Sequence, residues 1–278
     1  MKIQHWVMSA AIGLGVSLAA GAAAADGNSV CSGLPSQAAL QNALDGAVGV
    51  AGNGGLGFNM WASLVANDGM VCAVAFSGVQ YTDQWLGSRV ISAQKANTAN
   101  DFSLGEGSHI PAGSLFSNGL ALSTANLYSA VQPGGSLYGL QHSNPVDPEV
   151  AYKGPAALFG TKNDPLVGDR VGGVNVFGGG LVLLAAGGKK VGGVGVSGDT
   201  SCTDHMVAWR VRHTLNLDHF GPAGAPVKGV AGSPYPDNII FDITPNPNGG
   251  TGISAGGFGH PTCLNPPNLA TLPAVQTP

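Results

Sequence analysis

Charge is scarce in this 278-residue chain. Asp, Glu, Lys and Arg make up only 9% of it, and 11 basic against 15 acidic residues leave a formal net charge of −4. That balance lacks the basic footprint of a nucleic-acid-binding protein. With 44% hydrophobic residues and 45 glycines the chain is too apolar for disorder. It has too few charges to wet a monomer's surface easily, which predicts a homo-oligomer that hides part of that surface. Long apolar runs are missing too. The stretch from Val7 to Ala20 is too short for a membrane-spanning helix, so no membrane anchor is expected. There is no P-loop, no H-E-x-x-H and no C-x-x-C, which removes the common phosphate, zinc and redox signatures.

What is present starts with an export signal. Lys2, the apolar run and the small residues before Asp26 read as a signal peptide over 1–25. Cys31 does not follow a lipoprotein signal, so a periplasmic or secreted protein without a lipid is expected. All four cysteines lie in the mature chain and would meet an oxidising compartment. Two disulfides are expected; of the three connectivities that four cysteines allow, Cys202–Cys263 pinning the tail, with Cys31–Cys72 remaining, is favoured, and the alternative is free buried thiols acting as small hydrophobes.

Leu40, Leu44 and Val48 share one face of a helix over Pro35–Val48. NMWASLVA and MVCAVAFS flank Asn67-Asp68-Gly69, a strong hairpin signal. Helices are expected over Asp83–Phe102 and Asn118–Val131. A second hairpin joins 181–186 to 191–197, a last helix runs from Thr203 or Asp204 to Leu217, and Asn238–Ile243 is strand-like. The order does not alternate strand and helix. It predicts an α+β fold, an antiparallel sheet of about five strands with helices packed on it. Residues 26–278 are expected to form one domain with an excursion at about 103–173 and a Pro/Gly-rich extension at about 218–278.

The stretch GGVGVSGDTSCTDHMVAWRVRH (192–213) carries the candidate chemistry. Gly193, Gly195 and Gly198 match G-x-G-x-x-G, with Asp218 where a ribose-binding acid would stand. They lie on a hairpin arm rather than a strand-to-helix turn, so close approach of a backbone, a ring or a flat ligand to Gly192, Gly193 and Gly195 is the better reading. Asp199 occupies the last glycine position of a G-x-S-x-G elbow, which excludes that hydrolase motif. Outside the signal there are six histidines: His109, His142, His205, His213, His219 and His260. His205, beside Asp204, suits a cofactor-iron ligand, an acid–base group with Asp199 and Asp204, or a histidine bonded to one of those acids near the helix start. His142 is the second candidate iron ligand, although it and His109 also suit an exposed loop. His213 complements the helix end. Lys95 and Thr98 would meet a ligand carboxylate at a cleft, unless both face solvent.

QAALQNAL, VCAVAFSG, AQKANTANDF and above all FGGGLVLL followed by KKVGGVGVSGDTSCTDHMVAWRVRH resemble the GlcG/HbpS/PduO-type family of heme-binding and heme-degrading-domain proteins. The resemblance covers most of 35–102 and 177–216. It implies an antiparallel sheet flanked by helices, oligomers and, in exported members, heme binding in heme or iron handling. Other members are linked to glycolate use or cobalamin metabolism. Gly178–Leu181 lacks a proline often found there, the excursion and tail are extra, and Asp204-His205 stands where acidic runs are common. The first helix has no histidine, so no heme ligand transfers to it. The expectation is an exported, non-catalytic heme-binding protein. In it Lys95, Thr98, Gly193, Gly195 and His205 hold the heme, Lys95 meets a propionate, and His205 or His142 ligates iron. The alternatives are an enzyme on a small organic acid or on heme, using Asp199, Asp204 and His205, and a scaffold whose glycines serve only subunit packing.

Overall fold

The computed structural model describes residues 30–276; the expected signal peptide over 1–25 lies outside them. Helix α1 (Gln37–Val48) starts at Ser36, whose hydroxyl accepts from Ala39 N at 3.3 Å. Its buried residues Leu40, Ala43, Leu44 and Ala47 form one stripe. Strands β1 (Trp61–Ala66) and β2 (Val71–Phe76) pair antiparallel around the expected turn. Gly69 sits there at φ 82°, and Asp68 Oδ1 accepts from Met70 N.

Helix α2 (Ser88–Asp101) starts later than the sequence suggests. The Asp83 carboxylate accepts from Val79 N and Gln80 N at 2.8 and 2.9 Å, which closes a loop turn where a helix start was expected. The helix expected over 118–131 is another correction: strand β3 (Leu120–Ala121) and a single helical turn, α3 (Leu127–Ala130), stand there. Ser103 Oγ accepts from Leu122 N and Asn126 Oδ1 from Ser123 N, so side chains hold this backbone in an irregular path. The excursion adds α4 (Pro148–Ala151), capped by Asp147.

Strands β4 (Gly180–Ala185) and β5 (Lys189–Ser197) form the second hairpin, and α5 (Ser201–Thr214) follows with Thr200 as its cap. In the tail lie β6 (Lys228–Gly229), β7 (Ile243–Thr244) and β8 (Ile253–Ser254). The strand expected over 238–243 is thus confined to its end. The main sheet has four strands in the order β2-β1-β5-β4, all antiparallel, and β3 with β6 and β7 with β8 make separate pairs. The fold is α+β, with four strands in its main sheet where about five were expected.

Helices α1 and α5 cover one face around Leu44, Leu64, Leu183, Val194 and Met206. Helix α2 covers the other, with Trp61, Val65, Val74, Val90 and Ala96. The glycines of β5 determine how closely α2 lies. A Cβ on Gly195 would stand 1.9 Å from Ser92 O, and one on Gly193 would stand 2.2 Å from Ala96 O. Only a bare strand admits the helix backbone at that distance.

Both added segments are tied to this core. In the excursion, Asp164 pairs with buried Arg89, whose guanidinium lies 3.7 Å from the Phe159 ring centre. In the tail, Asp237 accepts from both terminal nitrogens of buried Arg212 at 2.6 and 2.9 Å. Disulfides Cys202–Cys263 and Cys31–Cys72 both form, as the cysteine count suggests.

Candidate functional site

The start of α5 brings three chains of hydrogen bonds together. Lys95 projects from α2 past Gly179, and its Nζ donates to Asp204 Oδ2 at 2.6 Å and to Val196 O at 3.1 Å. Asp204 Oδ1 accepts from Gly198 N and Asp199 N at 3.1 and 2.9 Å. Lys95 and Asp204 are both fully buried. Burial lowers the lysine's pKa and raises the acid's to about 6, each opposed by the partner's charge. Lys95 therefore corrects the sequence reading: it is neither exposed nor open to a propionate, because Asp204 is its carboxylate. Thr98 is also buried; its hydroxyl donates to Gln94 O and accepts from Asn175 N.

Asp199 faces another way. Its carboxylate accepts from Leu56 N and Phe58 N, fixing the glycine loop before β1. His205 faces a third. Its Nε2 stands 3.1 Å from Asn238 Oδ1 and 3.2 Å from Ile239 N, while its Nδ1 has no partner among the described residues. Burial lowers its pKa to about 3, so the ring is neutral. The side chains of Asp199, Asp204 and His205 hold different partners, Asp204 also accepting from the Asp199 backbone N–H, and all three residues are buried.

His205 is fully buried, with its ring 6.0 Å from the Trp209 ring. A Cβ on Gly178 would stand 3.1 Å from His205 Cβ. Gly193 and Gly195 are covered by α2 itself, so the close approach read from the sequence is filled by a backbone and not by a flat ligand. His142 is exposed on the excursion, as is His109. His213 Nδ1 lies 2.7 Å from Asp218 Oδ2, and Gln276 Nε2 donates to Asp218 Oδ1, which occupies the supposed ribose-binding acid. Cys202, His260 and Cys263 have ligand atoms within 4.8 Å of one another. Their sulfurs are joined in the disulfide, whereas metal binding needs thiolates.

Space for a ligand lies elsewhere. A cavity of about 730 Å³ opens between the excursion and the C-terminal extension, walled by Phe116, Phe220, Val227, Val230 and Phe258, with Lys228 as its charged side chain. It lies in the size range of small-molecule sites. Apolar patterning does not reveal it, because its walls come from segments without period, joined by the parallel pairing of β3 with β6.

The family model for haem-degrading HbpS-like proteins matches residues 57–212, from before β1 almost to the end of α5. The chain belongs to the HbpS-like family. Among solved structures, Klebsiella pneumoniae protein ORFY of family DUF336 is 23% identical, covering 65% of this chain and 90% of its own, with a TM-score of 0.41. A PduOC–heme complex is 21% identical over 65% and 91%, with the same TM-score. No curated protein matches.

Proposed function

We propose that this HbpS-like protein is exported, self-associates and handles heme by binding it rather than transforming it. The observation that carries the heme part of this reading is membership of a family described as haem-degrading, through a match that spans the whole four-stranded sheet. Two disulfides support an oxidising compartment, periplasmic or extracellular. Binding rather than turnover is supported by the burial of Asp199, Asp204 and His205, whose side chains are engaged with different partners, and by a cavity with no carboxylate or imidazole in its walls. Self-association is supported by exposed Trp85 and Leu86, with Phe58 packed edge-on against Trp85.

The test is a visible-spectrum titration of residues 26–278 with hemin, followed by incubation of the complex with a reductant and oxygen. A saturable Soret shift with the spectrum then stable fits the reading. No shift overturns heme, and a bleached Soret band overturns binding without turnover. Sedimentation equilibrium of wild type against Trp85→Glu checks self-association, which a monomeric wild type would refute.

A further inference from the structure

We infer that the cavity between the excursion and the C-terminal extension binds a flat apolar anion, gripping its body rather than any metal it carries. Where the reading of the previous subsection holds, the occupant is a porphyrin, and the inference then names the seat of that ligand.

The walls determine the chemistry. Phe116 comes from the excursion, while Phe220, Val227, Val230 and Phe258 come from the extension. Three phenyl rings are among the walls, and for a planar conjugated body stacked or edge-on contact with such rings is favourable beyond burial alone. The only charged group in the lining is Lys228, and no Asp or Glu accompanies it. Its side chain is exposed, with Nζ 3.4 Å from Leu115 O, so its charge stands free to pair with one anionic group at the mouth. A cation over apolar walls selects an apolar body with an acidic edge and disfavours cations and sugars.

The lining also has no His, Cys, Met or Tyr, the side chains that hold heme iron. The buried His205 lies on α5 and is not among the wall residues. Iron therefore adds nothing to affinity here, and a metal-free porphyrin binds as well as hemin. This separates the cavity from a histidine-ligated site.

Except for Leu115 and Phe116, the wall residues lie outside 57–212. The cavity is thus built mostly by the C-terminal extension, which lies outside the family match.

The experiment titrates the disulfide-bonded protein with three probes: hemin, metal-free protoporphyrin IX and a fluorescent anilinonaphthalene sulfonate. The variants are Ala223→Trp, which fills the mouth from an exposed position, Phe258→Ser, Lys228→Glu and His205→Ala. Circular dichroism checks that each is folded. The expected result is equal affinity for both porphyrins within about threefold, a loss of at least tenfold in Ala223→Trp and in Lys228→Glu, and no change in His205→Ala.

Hemin binding without protoporphyrin binding, or binding that Ala223→Trp and Phe258→Ser both leave intact, overturns the cavity inference and leaves heme handling standing. Binding of the sulfonate alone, weakened by Lys228→Glu, supports the cavity as an apolar-anion site and removes heme. No binding of any probe overturns both.

Discussion

Adding one methyl group at Gly195 and the same group at Gly46 should move stability in opposite directions. At Gly195 a Cβ would stand 1.9 Å from Ser92 O and 2.5 Å from Ala96 N, both backbone atoms of α2. Restoring ordinary contact requires α2 to rise by ~1.5 Å, given that Cβ contacts normally begin at 3.4 Å. The helix cannot rise freely, because Lys95 on it is held by Asp204 and Arg89 by Asp164. Overpacking of this kind costs about 1–3 kcal/mol. Against it stands a gain of about 0.4–1 kcal/mol from restricting the unfolded chain. The clash wins by about 1 kcal/mol at mid-range, or roughly 2–4 °C in Tm for a domain of this size. Gly46 lies on the exposed side of α1, with nothing within 4 Å of a Cβ. There the unfolded-state term and helix propensity act alone, and Gly46→Ala should stabilise by about 0.5–1 kcal/mol. Urea and thermal denaturation of both variants, followed by far-UV circular dichroism, make the comparison. A Gly195→Ala protein as stable as wild type would refute the claim that these glycines exist to admit the helix.

Lys95→Met strands the buried Asp204 carboxylate and should cost about 3–5 kcal/mol, while Lys95→Met with Asp204→Leu recovers much of it; equal losses in the single and double variants would argue against an ion pair. His205 titrates at about 3 in the folded protein against 6.5. The unfolded chain thus takes up a proton that the folded protein refuses, and this contribution to stability is lost as pH falls from 6.5 toward 3. Asp204, raised to about 6 from 3.8, works the other way, favouring the folded state as pH falls from 6 to about 4. His205→Gln should therefore lose less stability than wild type between pH 7 and 4.5, and parallel denaturation profiles would refute the assignment. Opening Cys202–Cys263 by Ser substitution at both positions should cost about 4 kcal/mol for a loop of 61 residues, measured as a shift in urea midpoint; a shift below about 1 kcal/mol would mean that the tail is held by Arg212 and Asp237 instead.

Local signals carried through to the fold and distant ones did not. Asn67-Asp68-Gly69 specifies its own backbone, so the first hairpin is legible from three residues. The close-approach reading of Gly193 and Gly195 is also a local inference, and the structure supplies the partner, the α2 backbone. The helix read over 118–131 fails because its periodicity competes with bonds from Ser103 and Asn126 to nearby backbone, which no window of apolar residues reveals. Lys95 misleads for a related reason. Its partner is 109 residues away, and a lone lysine on a polar helix reads as solvent-facing until the fold brings Asp204 under it. The candidate site was therefore legible as a neighbourhood, while the buried partners of its side chains, such as Asp204 for Lys95, were not. The cavity was not legible at all, since irregular segments leave no period that says which of their apolar residues converge.

The scarcity of charge becomes sharper when its placement is considered. Three of the 11 basic residues, Arg89, Lys95 and Arg212, are buried, and each meets a buried acid. A buried ion pair is a weak source of net stability, because desolvation offsets most of the attraction. Its effect is on geometry, since a mispaired charge inside the protein is far costlier than a mispaired leucine. The three pairs divide the work by segment: Arg89 fixes the excursion through Asp164, Lys95 fixes α2 to the start of α5, and Arg212 fixes the tail through Asp237. The two segments that wall the cavity are thus each registered to the sheet by one buried pair. Neutralising Arg89 or Arg212 should blur the cavity while leaving the sheet intact. The same placement takes charge away from a surface that already had little, and so strengthens the physical case for self-association.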